Sequence, residues 1–230
     1  MIGIICAMQE EINQILLLME NVKKIQSYPF NFFLGSIKKK ECVIALSNVG
    51  KVHSAICCQA MILNYKPKLI LNVGVAGALS EKLKIGDIVI ASETIQHDFD
   101  ISAFPNRKKG EISGINSVGI KCTPWIAKRL LDFKNEFTDI SVKEGTILTG
   151  DQFINSLEKR LNLKKEFGGL ACEMEAGSIA QTAFVNKVEF GIIRSISDSA
   201  NNTSSHDFNC FIESSSKNAA KLCSKFIESL

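Results

Sequence analysis

Apolar runs alternate with helical patterns along almost the whole chain, and this alternation predicts an α/β domain. Its sheet should be mainly parallel and flanked by helices on both faces. Two observations support that class. Residues 2–8 are apolar at consecutive positions and residues 69–75 at all but Asn72, the pattern of strands buried on both sides. At 230 residues with 46% hydrophobic and 22% charged side chains, the chain is long and apolar enough to close one core. A single domain over residues 1–230 is therefore expected.

The elements follow in order. Residues 2–8 read as a buried strand, and residues 9–19 as a helix with Ile12, Ile15, Leu16 and Met19 at helical spacing. Residues 30–37 and 42–48 flank Lys38-Lys39-Lys40 and read as an antiparallel pair joined by a solvated turn. Residues 50–64, rich in Ala, Cys and Ile, form a helix stopped at Lys66-Pro67. The strand 69–75 runs into an expected turn at Gly74-Val75-Ala76-Gly77, and residues 87–92 make a further buried strand.

Thr123-Pro124-Trp125 opens a helix, with Thr as N-cap and Pro at the first helical position. Residues 143–149 and 188–195 complete the strand set. In the last helix Phe208, Phe211, Ile212, Ser215, Ala219, Leu222, Cys223, Phe226 and Ile227 form one stripe at steps of three and four. The preceding stretch, residues 201–205, is polar and turn-like. Residues 104–118, rich in Lys, Gly, Ser and Asn, read as a surface excursion more than as a loop beside a site.

Composition excludes several functions. Lys and Arg number 27 against 24 Asp and Glu, and a surplus of +3 is too weak to imply nucleic acid. No run approaches the ~20 apolar residues of a membrane helix, and the first residues lack a signal peptide's three-part layout. The eight cysteines form no Cys-x-x-Cys pair and mostly sit in apolar stretches, so they read as small buried hydrophobes in a cytoplasmic protein. Glycine-rich phosphate cradles, His-Glu-x-x-His and Gly-x-Ser-x-Gly are absent. His53 falls on a helix, and neither His97-Asp98 nor His206-Asp207 has a second ligand at usable spacing, so no metal is expected.

What remains is carboxylates at strand ends, where open α/β sheets bind ligands. Glu11 follows the first strand, beside Glu10. Glu173 and Glu175 bracket Met174, and Asp198 follows the apolar run after Arg194 and Ser197. Each alone is explained as readily by a helix start or a turn, where acids are favoured. Together they place several carboxylates in one crevice.

Five segments, in order, then identify a likeness. They are Gly3-Ile4-Ile5 with Ala7-Met8 and Glu10-Glu11, Asn72-Val73-Gly74-Val75-Ala76-Gly77, Gly150-Asp151-Gln152-Phe153-Ile154, Glu173-Met174-Glu175-Ala176, and Arg194 with Ile196-Ser197-Asp198. The set resembles the 5′-methylthioadenosine/S-adenosylhomocysteine nucleosidases, within the nucleoside phosphorylase and nucleosidase superfamily, and spans nearly the whole chain. The resemblance implies a phosphorylase/hydrolase-like mixed sheet and hydrolysis of the N-glycosidic bond of those nucleosides, plausibly also of 5′-deoxyadenosine, in methionine salvage. It implies no cofactor.

By the same resemblance, Asp198 matches the acid that protonates purine N7 and Glu11 the carboxylate that activates water. Glu175 matches the ribose-hydroxyl ligand, with Met174 packed on the sugar. Phe153 lies against the adenine and Ile154 offers it backbone bonds, while Ala76 and Gly77 line the pocket beside base and ribose. Val49 and Phe208 match apolar wall positions, and Ser197 and Arg194 match supports that fix the aspartate and its neighbours. Ile101 and Phe104 correspond to the segment that closes the 5′ pocket of a partner, so a homodimer with shared sites is implied. Val75 stands where many relatives carry Ser, and Pro105-Asn106 departs from the family continuation after Phe104.

The chemistry is consistent with these roles. Breaking an N-glycosidic bond puts positive charge on the ribose and negative charge on the departing base, which a donor at N7 neutralises. The acid must stay protonated and the base ionised, so the two carboxyls need different surroundings. Two rivals remain: a phosphorylase using phosphate for water, which needs anion-binding donors that Glu10 and Glu11 oppose, and a non-catalytic nucleoside-binding protein on the same scaffold.

Overall fold

The computed structural model describes residues 1–201 and 204–230. Its strands are β1 (Ile2–Cys6), β2 (Glu20–Ser27), β3 (Phe30–Ile37), β4 (Lys40–Leu46), β5 (Leu69–Ala78), β6 (Ile88–Gln96), β7 (Gly119–Lys121), β8 (Val142–Thr149), β9 (Ala171–Glu173) and β10 (Glu189–Asp198). The helices are α1 (Gln9–Leu16), α2 (Lys51–Tyr65), α3 (Pro124–Leu131), α4 (Leu157–Phe167), α5 (Ala176–Val185) and α6 (Ser204–Glu228).

The strands form one mixed sheet in which β5 pairs with β1, β9 and β10. Following the pairs β5–β10–β6–β8–β9 and back to β5 closes a five-stranded ring. The order β1–β4–β3–β2 extends from β5 as an open arm. The pairs of β5 with β1 and β10 are parallel, so three central strands end on the same side and present their carboxyl ends together.

Two buried clusters explain why these strands are apolar at every position. Ile2, Ile4 and Cys6 of β1 join Ile12 and Ile15 of α1, Ile126 and Leu130 of α3, and Leu222 and Phe226 of α6. Ile5 instead joins Cys57, Cys58 and Met61 of α2 and Ile179 and Ala183 of α5. Alternate side chains thus bury against different helix layers, as predicted for helices on both faces. Cluster residues are largely at or near zero exposure, so trimming Leu222 to Ala would cost ~2–5 kcal/mol.

The structure revises several boundaries. Helix α1 stops at Leu16, because Leu17 to Met19 turn the chain into β2. Periodicity misses β2, an edge strand whose side chains are mostly exposed and polar, with Lys23 and Lys24 on it; such charge discourages pairing with another chain. The lysine turn is a two-residue hairpin, with Lys38 and Lys39 both at positive φ. Thr123 precedes α3 as expected, but its Oγ1 accepts from the Phe190 amide (3.0 Å) instead of capping the helix. Seven cysteines are buried and Cys210 is exposed. Phe211 is also exposed, although it lies on the stripe of α6. Residues 104–118 form an irregular surface segment. Of the polar stretch 201–205, Asn202 and Thr203 lie outside the described residues. Among the described residues no helix is long and apolar enough to cross a membrane.

Candidate active site

At the carboxyl ends of β1, β5 and β10 lies a cavity of about 210 Å³. The expected turn at 74–77 is instead continuous strand, since β5 runs to Ala78 with every residue buried. Small residues there serve approach, not turning. A Cβ on Gly74 would stand 2.8 Å from Glu11 Cδ, and one on Gly77 would stand 2.9 Å from Asp198 Oδ1. Gly74 and Gly77 are three residues apart, and the two acids they admit line the one cavity.

Glu11 is the third residue of α1 and is 4% exposed. Its Oε2 accepts from the amides of Ala7 (2.8 Å) and Met8 (3.0 Å), and its Oε1 from Val75 (2.9 Å). The Val75 backbone therefore makes a contact here that its side chain could not. Burial pushes the Glu11 carboxyl above its ordinary value, while Arg194 and the three amides pull the other way.

Asp198 is 2% exposed at the end of β10. The register with β5 slips here, with Ile196 opposite Ala76 but Asp198 opposite Gly77, so Ser197 is the extra residue of a bulge. The bulge re-aims the next side chain. Ala200 N donates to Asp198 Oδ1 (2.8 Å) and Ser197 Oγ to Oδ2 (3.0 Å). Burial raises this carboxyl above its ordinary value, against the pull of those donors. A raised carboxyl is what a proton donor requires.

Arg194, expected to help fix the aspartate and its neighbours, makes its hydrogen bonds elsewhere than on Asp198. Arg194 faces Gly74 in the register, and its guanidinium reaches Asn72 Oδ1 (2.5 Å), Glu173 Oε2 (2.7 Å) and, at 4.0 Å, Glu175 Oε2. Glu173 is anchored further by Thr149 Oγ1 and by the amides of Glu175 and Ala176 at the start of α5. Glu175 receives the Gly50 amide on Oε1 (2.9 Å). Burial, with Glu173 beside it, pushes the Glu175 carboxyl up. Of the two carboxylates facing the guanidinium, Glu173 receives the more hydrogen bonds.

Of the residues expected at a site, Glu11, Val49, Ala76, Gly77, Phe153, Met174, Glu175, Ser197, Asp198 and Phe208 line this one cavity. Phe153 and Phe208 meet edge to face at its mouth, with ring centroids 5.9 Å apart. Ile154 is buried and lines the adjoining smaller hollow behind Phe153. Arg194 lies beneath the cavity without lining it. Ile101 and Phe104 do not line it either, and Phe104 is 66% exposed. No Lys, Arg or His is among the lining residues. Among the described residues no group of three or more His, Cys, Asp or Glu side chains is placed to hold a metal.

Motif reading assigns no role to Asn72 and does not foresee that Glu173 pairs with Arg194. The available signal is that Asn72 and Arg194 each interrupt an apolar strand run. A buried polar group needs a partner, and these two partner each other.

A model of the Phosphorylase superfamily matches residues 1–228. The chain is 35% identical over 231 residues to a 5′-methylthioadenosine/S-adenosylhomocysteine nucleosidase of Staphylococcus aureus (strain JH9), covering 100% of both. It is 33% identical to the nucleosidase of that name from Neisseria meningitidis, solved in complex with methylthio-immucillin-A. That match has a TM-score of 0.95 and covers 100% of this chain and 99% of the other. A futalosine hydrolase of Helicobacter pylori strain 26695 is 36% identical with a TM-score of 0.94, covering 100% of this chain and 97% of the other.

Proposed function

This chain belongs to the phosphorylase superfamily and, within it, to the 5′-methylthioadenosine/S-adenosylhomocysteine nucleosidases, and from that premise we propose that it releases adenine from both named nucleosides with Asp198 and Glu11 as acid and base. The observation that carries this reading is the pair of buried carboxyls flanking β5 in one cavity, each in different surroundings.

In the proposed step the bond between C1′ and N9 breaks and its electron pair leaves with adenine. Asp198 delivers its proton to N7, which neutralises the leaving group. Water attacks C1′ and loses a proton to Glu11, giving the free thioribose. Glu175 accepts from the ribose hydroxyls, and Met174 packs on the sugar. Phe153 covers the base, with Ile154 behind it. The negative field of Glu11 and Glu173 favours the cationic ribose of the transition state.

The same field argues for water over phosphate. A phosphate would meet Glu11 at the nucleophile side, where three amides are already engaged, and the nearby guanidinium of Arg194 is paired. Adenine release from 5′-methylthioadenosine, with and without phosphate, in a chelator-treated sample tests this. Equal release with free methylthioribose as co-product is expected. Strict phosphate dependence would make the chain a phosphorylase, and no release in either would make it a binding protein.

The cavity mouth is open beside Val49, which is 44% exposed, and the outward positions Val52 and Ile56 of α2 are 69% and 48% exposed. We take this apolar face as the seat of a second copy, whose Ile101 and Phe104 would close the 5′ side of the pocket. A second substrate reading keeps the chemistry and changes the nucleoside, because one close structural match is a futalosine hydrolase. Parallel assays on futalosine and 5′-methylthioadenosine decide it by the ratio of kcat/KM.

A further inference from the structure

Outside the cavity, three charged side chains close a ring of hydrogen bonds that nothing above has used. Lys51 Nζ donates to Asp98 Oδ1 (2.6 Å), the Asp151 amide donates to Asp98 Oδ2 (2.8 Å), and the Lys51 amide donates to Asp151 Oδ1 (2.8 Å). The ring joins three segments distant in sequence: the start of α2, the chain just beyond β6, and the loop that follows β8. The Lys51 and Asp98 side chains are 18% and 17% exposed. Burial works against the Asp98 carboxylate, yet Lys51 and the Asp151 amide hold it below the usual carboxylate range. A pair with both oxygens engaged in separate bonds fixes geometry better than a surface ion pair free to rearrange.

Two of the tied segments reach the cavity. Gly50, adjacent to Lys51, donates its amide to Glu175 Oε1 and holds φ at 102°, a conformation other residues rarely adopt. Phe153 sits two residues after Asp151. Asp98 itself opens the segment that contains Ile101 and Phe104. None of Lys51, Asp98 and Asp151 lines the cavity.

We propose that Lys51, Asp98 and Asp151 are positioning residues: the ring sets the Gly50 amide against Glu175 and Phe153 over the base, so that substrate is gripped at ribose and base together. The inference rests on the nucleosidase reading for its substrate. Groups that grip substrate and transition state alike act on KM more than on kcat. Loosening the ring should therefore raise KM.

The test uses the full chain with Lys51→Met, Lys51→Arg, Asp98→Asn and the double variant Lys51→Met/Asp98→Asn. With 5′-methylthioadenosine, Lys51→Met and Asp98→Asn are each expected to raise KM about tenfold while kcat stays within about threefold. The double variant should be little worse than either single one, because both abolish the same Lys51–Asp98 charge pair. Lys51→Arg should restore most of the affinity. Adenine binding by calorimetry and thermal melting are followed in parallel, so that unfolding is not mistaken for loss of grip. Unchanged KM in a folded variant would overturn the proposal. So would a loss confined to kcat, or additive losses in the double variant. If the parent chain releases no adenine, the nucleosidase reading fails instead, and weakened adenine binding still reports on the ring: unchanged binding in Lys51→Met would overturn it there too.

Discussion

Replacing Gly74 with alanine puts one methyl group where Glu11 now lies. The new Cβ would stand 2.8 Å from Glu11 Cδ, whereas carbon atoms pack at about 3.5–4.0 Å, so the carboxylate must retreat by about 1 Å. The Val75 amide bond to Oε1, now 2.9 Å, would stretch beyond hydrogen-bonding range. A bond to a charged group contributes ~1.5–3 kcal/mol. A loss near 2 kcal/mol would lower Tm by about 4–8 °C in a chain of this size. A base displaced by about 1 Å can cost ~100-fold in rate. Adenine release at saturating 5′-methylthioadenosine, together with a melting curve, measures both effects. Glu11→Ala removes the obstacle, so Gly74→Ala in that background should add little further loss of stability. A folded Gly74→Ala chain turning over within about threefold of the parent would refute the claim that rate depends on this placement of Glu11.

Further expected outcomes concern the other groups. Asp198→Asn keeps one acceptor oxygen for the Ala200 amide, and its new NH2 can donate to Ser197 Oγ, but it removes the acid, so adenine release should fall by ~100-fold or more with melting little changed; near-normal turnover would exclude Asp198 as the acid. Phe104→Ala should raise KM for the thio-tailed nucleosides and leave kcat nearly unchanged, and an unaltered KM would argue against a shared site. Burial raises the Glu175 carboxyl from 4.5 to about 8, so between those values the folded chain holds a proton that the unfolded chain has lost. The stability from this group is complete below the lower value and disappears as pH rises through the upper one. Melting across that window should show Glu175→Gln gaining on the parent as pH rises; a constant difference would mean that Glu175 is already ionised.

Much of the site was legible in the sequence because its acids end strands. Glu11, Glu175 and Asp198 stand where apolar runs stop. The parallel strands β1, β5 and β10 bring the first and last to one edge of the sheet, and β9, antiparallel to β5, brings Glu175 there. The fold class was legible for a related reason. A strand covered by helices on both faces must be apolar at consecutive positions, as residues 2–6 are. Strand β2 was not legible, since an exposed edge imposes no apolar alternation.

Local sequence determined the carboxylates, the strands that carry them and the small residues beside them. Only the tertiary structure decided how they divide the work. That Arg194 serves Glu173 depends on where β9 and β5 lie beside β10, which no pattern within β10 records. Whether Gly74 and Gly77 turn the chain or make room depends on what packs against them. The answer is Glu11 from 63 residues earlier and Asp198 from 121 residues later, both in contact range of a single strand. Such choices belong to pairs of residues distant along the chain, and they are fixed only when the sheet closes.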